Sequence, residues 1–93
     1  MIVNLLLLEE IKKCAENFFS IKETAKYLAV DFDDFMEEME NEDSEVYNAY
    51  HKALLAKEFE IRSGIIEMAI AGSPAAQVEA AKLLEKTKIN NSL

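Results

Sequence analysis

The stretch SEVYNAYHKALLAKEFEIRSGIIEMAIAG, Ser44 to Gly72, decides the fold. Ser44 opens it as an N-cap, a hydroxyl placed to accept from an orphan backbone N–H, with Glu45 against the positive helix end. Gly72 closes it by taking a left-handed conformation, and Ser73-Pro74 cannot continue a helix. No proline interrupts it, and the one internal glycine, Gly64, weakens a helix by about 1 kcal/mol relative to alanine without stopping it. At ~1.5 Å per residue such a helix is roughly 40 Å long, more than a small single domain needs. Its apolar residues form two stripes. Tyr47, Tyr50, Leu54, Ile61, Ile65 and Met68 follow one face, and Leu55, Phe59, Ile66 and Ile70 follow another. A helix apolar on two sides is covered on two sides. One cover comes from this chain; the other stripe, either Leu55, Phe59, Ile66 and Ile70 or the opposite one, predicts an interface with neighbouring copies in a homo-oligomer.

The rest of the composition agrees with a helical chain. Of 93 residues 51% are hydrophobic, so this is no disordered tail, and only two glycines and one proline punctuate it. A chain this short buries a modest core alone, which suits a head joined to an oligomerisation stem. The apolar opening, Met1 to Leu8, is too short to span a bilayer, lacks a basic leader and runs into Glu9-Glu10, so a helix is expected there and no membrane partner. A single cysteine, Cys14, forms no internal disulfide, which fits a reducing, cytoplasmic setting. Charge is uneven. Residues 1–45 carry four lysines against thirteen acids, and residues 46–93 six bases against five acids, for a total of −8. That balance favours solubility and repels phosphate at long range.

Taken in order, Ile2 to Phe19 reads as a first helix, with Leu5, Leu8, Ile11 and Ala15 as its stripe; Leu6 and Leu7 widen it into a broad core face or stand outside it as a contact surface. Ser20 and Glu23 make a capping box for a second helix, Ile21 to Ala29, whose inward residues are Ile21, Ala25 and Leu28. Asp31 caps a third, Phe32 to about Asn41, with Phe32, Phe35, Met36 and Met39 as its apolar side. Two short helices about a tight turn, with an alanine in the first and Val30 in the turn, describe a helix-turn-helix. The same spacing also fits a plain helical hairpin. Asn41 to Asp43 is a polar break, which divides the chain into a head, residues 1–43, and a stem, residues 44–93. After Gly72, Ser73 caps a last helix that starts at Pro74 and runs to about Lys88, its alanines suited to antiparallel packing on the long helix. The fold class expected is all-α: a helix-turn-helix-like three-helix head, a long helix and an antiparallel C-terminal helix.

No catalytic constellation appears. His51 has leucine or tyrosine where helical spacing would place a partner, so it reads as a surface or interface residue and not as a metal ligand. The acidic run from Asp31 to Glu45 lacks the glycine of a calcium loop and keeps helical periodicity. Neither a glycine-rich phosphate loop nor a nucleophile motif is present, and Cys14 reads as a small core filler. A non-enzyme without metal or cofactor is expected.

Taken together, SIKETAKYLAVDFDDFMEEM, the run AYHKALLAKEFEIR and above all MAIAGSPAAQVEAAKLL, Met68 to Leu84, resemble the small subunit of phage DNA-packaging terminases over about Phe19 to Lys88. The resemblance lies in residue classes and in the order of parts. It implies a helix-turn-helix head, a helical-hairpin stem that assembles into a ring, binding to double-stranded viral DNA, and delivery of that DNA to a large subunit that carries the ATPase and nuclease. The setting it implies is the cytoplasm of a bacterial host.

The head strains against this. In a helix-turn-helix the second helix enters the major groove with its N-terminal residues leading. Here those are Phe32, Asp33 and Asp34, and carboxylates facing phosphates are repelled. Base-reading roles are therefore not assigned to Asp33, Asp34 or Glu37. The residues expected to meet DNA are Lys12, Lys13, Lys22 and Lys26, with Tyr27 beside them; as ordinary solubilising side chains they need no such role. Two rivals follow. One is an acidic helical module that binds a basic protein partner and no DNA. The weaker is a dimeric transcriptional regulator, for which no basic recognition surface is evident.

Overall fold

In the computed structural model, which describes residues 1–92, side-chain oxygens start the helices and left-handed residues stop most of them. Among the described residues the chain is all-helical and has no strand: α1 (Leu5–Glu16), α2 (Ile21–Tyr27), α3 (Phe32–Met39), α4 (Glu45–Ile70) and α5 (Pro74–Asn91). It forms two compact units, Met1–Lys57 and Glu58–Leu93. Leu93, the last residue of the expected stem, lies outside the described residues.

The first unit shows how each boundary is made. Ser20 and Glu23 form the capping box: Glu23 N–H donates to Ser20 Oγ at 3.0 Å, and Ser20 N–H donates to Glu23 Oε1 at 2.9 Å. Asp31 caps α3 through the Asp34 N–H at 3.0 Å, and the Val46 N–H donates to Ser44 Oγ at 3.1 Å where α4 begins. The first helix is shorter than the expected Ile2 to Phe19. Asn4 is extended and its side chain accepts from Leu7 N–H at 2.8 Å, so the apolar run turns helical only at Leu5.

At the far end of α1, Phe18 takes φ 61°. Its N–H donates to Ala15 O at 3.0 Å, and the Phe19 N–H donates to Cys14 O at 2.9 Å. That paired pattern is a Schellman turn, and it recurs after α2 with Ala29 at φ 55°, where Val30 N–H donates to Ala25 O. Neither left-handed residue is glycine.

The core of this unit gathers Ile11 and Ala15 from α1, Ala25 from α2, Phe35 and Met39 from α3, and Val46, Ala49 and Tyr50 from α4. Ala25 is buried, as expected of a small residue where helices approach closely. The opening turns of α4, placed with the stem on the strength of the polar break at Asn41 to Asp43, thus lie in the first unit. Three short helices cannot shelter Phe35 and Ile11 by themselves, and α4 closes the core. Tyr50 pins it there, its hydroxyl donating to Phe19 O at 2.6 Å. Thr24 is fully buried, and its hydroxyl donates to Ser20 O at 2.8 Å, so it brings no unsatisfied polar group inside.

Of the expected α1 stripe Leu8, Ile11 and Ala15 face the core, joined by Leu7, whereas Leu5 and Leu6 are exposed.

The second unit is a helical hairpin. Gly72 takes φ 105°, Ser73 N–H donates to Met68 O at 3.0 Å, and Ser73 caps α5 through Ala76 N–H with Pro74 in the first helical position. Gln77 Nε2 reaches back across the turn to Ala69 O at 3.2 Å. Ala76 is buried beside the turn, the small side chain allowing close approach. α5 ends at Asn91, three residues beyond the expected Lys88.

Candidate interaction surfaces

Two surfaces carry the residues that the sequence singled out. The first carries the lysines of the head. Lys12 and Lys13 lie on successive positions of α1, and each is held by an acid three residues before it, Glu9 and Glu10, both at 3.2 Å. Lys22 and Lys26 stand one turn apart on α2, are exposed, and have no ion-pair partner among the described residues. Tyr27 is exposed and meets Phe19 edge to face, ring centroids 5.6 Å apart. Lys13, Tyr27 and Phe19 line one cleft of about 310 Å³, together with Glu10, Cys14 and Asn17. The fold therefore brings Lys13 and Tyr27 together, while Lys12 does not line that cleft.

Cys14 sits at the floor of this cleft and is buried. Burial pushes its thiol above the ordinary range; the Thr24 hydroxyl pulls the other way, and the charge of Glu10 adds to the rise. A thiol held protonated is a poor nucleophile, which matches its reading as a core filler. Burial likewise raises the Tyr50 hydroxyl, with Cys14 and Glu23 adding to it. Among the described residues no cluster of three or more His, Cys, Asp or Glu side chains is arranged to hold a metal ion. His51 is packed between Tyr47 and Tyr50, ring centroids 4.2 and 5.2 Å away.

The carboxylates of Asp33, Asp34 and Glu37 on α3, and of Glu40 that follows it, are exposed. Glu38 is half-buried and accepts from the Ser44 hydroxyl, which ties α3 to the start of α4. The leading turn of α3 thus offers acids and the half-exposed ring of Phe32, the opposite of a phosphate-seeking surface.

The second surface is apolar. In a single chain Leu55 is 62% exposed, Phe59 72%, Ile66 48% and Ile70 82%. Leu55 belongs to the first unit and the other three to the second. In the second unit Val78, Leu84 and Ile89 of α5 are also more than half exposed, as is Met68 of the other α4 stripe. A groove of about 370 Å³ runs along this hairpin, lined by Arg62, Ile66, Ala80, Leu83, Leu84 and Thr87. The α4 stripe was legible as an apolar periodicity. The exposure of α5 was not, because its few large residues, Val78, Leu83, Leu84 and Ile89, make no single stripe, and of these Leu83 alone is half-buried.

Set against known protein families, curated proteins and solved structures, the chain matches none. Among the described residues no helix is long and apolar enough to cross a membrane.

Proposed function

We propose that the protein is a non-enzymatic, self-assembling subunit of a phage DNA-packaging terminase, the small subunit that gathers viral DNA for a large subunit carrying the catalysis. The observation that carries this reading is the uncovered apolar stripe of α4, Leu55, Phe59, Ile66 and Ile70, joined in the second unit by large residues of α5. Each such side chain gains roughly 1.5–3 kcal/mol when fully taken from water, so a chain that leaves this many outside favours association with its own copies. The residue-class resemblance across Phe19 to Lys88 supplies the kind of assembly. In a ring, weak phosphate contacts from Lys22 and Lys26 repeat around the circumference and add through effective concentration. The setting is the cytoplasm of the bacterial host.

A gel-shift titration at low salt tests it, with duplex DNA from the packaging start of the phage encoding this chain. Retardation by the assembled protein, weakened by added salt, supports the reading; an assembled protein that leaves this DNA unshifted at low salt overturns it.

A further inference from the structure

The cleft between the end of α1 and Tyr27 lies within the first unit, apart from the uncovered hairpin residues of the second. No aliphatic side chain lines it among the described residues. Its apolar surface is two aromatic rings and a thiol. Phe19 and Tyr27 stand edge to face at 77°, centroids 5.6 Å apart, with Cys14 at the floor. Tyr27 is 62% exposed, so its ring is open to a stacking partner.

The polar lining is balanced. Lys13 Nζ lies 3.2 Å from Glu10 Oε1, so the cleft holds one ammonium and one carboxylate that neutralise each other. Asn17 Nδ2 donates to Lys13 O at 2.8 Å, which fixes the amide and leaves Asn17 Oδ1 to accept. The second oxygen of Glu10 accepts as well, and the Lys13 ammonium has further N–H groups to donate.

These features select a ligand by elimination. A simple anion finds Lys13 already answered by Glu10, and a simple cation finds Glu10 answered by Lys13. An aliphatic chain finds no aliphatic wall. A volume of about 310 Å³ is at the small end of ligand sites, which run from about 300 to 1,000 Å³, and admits one or two fused rings. The ligand that meets all of these is a flat, uncharged ring with donors and acceptors on its edge. Nucleobases have that form and stack on aromatic side chains.

We propose that this cleft binds a nucleobase, stacked on Tyr27 with its edge toward Glu10, Lys13 and Asn17. Because Asn17 and Glu10 both accept, a base with an exocyclic amino group, such as adenine, is favoured over thymine. A free nucleoside and an unpaired base in a single strand present the same ring. A base inside an intact duplex is covered by its neighbours and cannot reach Tyr27. The site therefore stands or falls apart from duplex binding and from the DNA-packaging reading.

The probe is 2-aminopurine riboside, a base analogue with an exocyclic amino group whose fluorescence is quenched by stacking, titrated with the full-length protein. Saturable quenching is expected, reversed by deoxyadenosine more readily than by thymidine. Tyr27→Ala is expected to weaken it about tenfold or more, and Tyr27→Phe to retain most of it. Tyr27 is exposed, so helix content by circular dichroism is expected to stay that of the parent. If Tyr27→Ala fails to fold, Glu10→Ala decides: it removes an acceptor and is expected to narrow the preference for deoxyadenosine. A single-stranded oligonucleotide carrying one 2-aminopurine separates the sources. Tighter binding than the riboside, weakened by salt, assigns the base to a strand; equal affinity assigns it to a free nucleoside, and either upholds the site. Absence of saturable quenching with both probes, quenching unchanged by Tyr27→Ala, or a preference unchanged by Glu10→Ala overturns the proposal.

Discussion

Ala29 follows α2 with φ 55°, a conformation in which the Cβ of an L residue crowds the neighbouring carbonyl oxygen. Two hydrogen bonds depend on it, Ala29 N–H to Lys26 O at 3.2 Å and Val30 N–H to Ala25 O at 3.1 Å. The left-handed conformation costs an L residue about 1–2 kcal/mol, and glycine escapes that cost. Glycine also gains freedom in the unfolded chain, which returns about 0.4–1 kcal/mol. The methyl group of Ala29 is exposed, so its removal forfeits little packing. Ala29→Gly is therefore expected to stabilise the protein by about 0.5–1 kcal/mol, a rise in Tm of roughly 2–8 °C for a chain of this size. Ala29→Val, which crowds the same carbonyl further, is expected to destabilise it by about 1 kcal/mol or more. Urea unfolding followed by circular dichroism measures both, with the m-value unchanged from the parent. A glycine variant no more stable than the parent, together with a valine variant that loses nothing, would refute the left-handed turn and the path from α2 into α3 built on it.

Further outcomes follow from other residues. Tyr50→Phe removes the hydrogen bond to Phe19 O and is expected to cost about 1–2 kcal/mol of stability at neutral pH, read from the urea midpoint. Since burial first of all raises the Tyr50 hydroxyl above its unfolded value, the folded state binds the more protons between the two. Parental stability is therefore present below the unfolded phenol range and is lost as pH rises toward the folded value, and the phenylalanine variant is expected to show a shallower alkaline decline. Glu23 has the opposite sign: the Ser20 backbone N–H, and then the Ser20 hydroxyl, lower its carboxyl. Its contribution is present above the unfolded carboxylate range and lost as pH falls through the folded value, so Glu23→Gln is expected to flatten the acid limb of stability against pH. Lys22→Glu with Lys26→Glu is expected to weaken DNA binding and reduce the slope of log affinity against log salt by roughly 1 for each phosphate contact removed, while the melting temperature stays near that of the parent.

Much of the fold was legible wherever a side chain announces a boundary. Ser20, Asp31, Ser44 and Ser73 each accept from a backbone N–H at a helix start, and Gly72 ends α4 as a glycine should. The ends of α1 and α2 were hidden, because Phe18 and Ala29 adopt the left-handed conformation without the residue that usually advertises it. The start of α1 was marked by Asn4, an N-cap residue that the apolar periodicity alone runs past. The polar break before Ser44 marks a change of helix and not a limit of packing: Val46, Ala49 and Tyr50 cross it to complete a core that the short helices leave open.

Of the candidate surfaces, the exposed α4 stripe was visible as a second periodicity that the chain itself could not bury. At α1 a contact surface at Leu6 and Leu7 was one of two readings; that Leu5 joins Leu6 outside while Leu7 turns inward depends on packing that a run of four leucines cannot specify.

The molar mass of the protein in solution, measured by light scattering over a dilution series, bears most directly on the uncovered stripe. The parent is expected at a whole multiple of the single-chain mass, and Phe59→Lys with Ile70→Lys is expected to shift it toward one chain with helix content preserved. A parent that stays fully helical at the mass of one chain at every concentration would contradict the account.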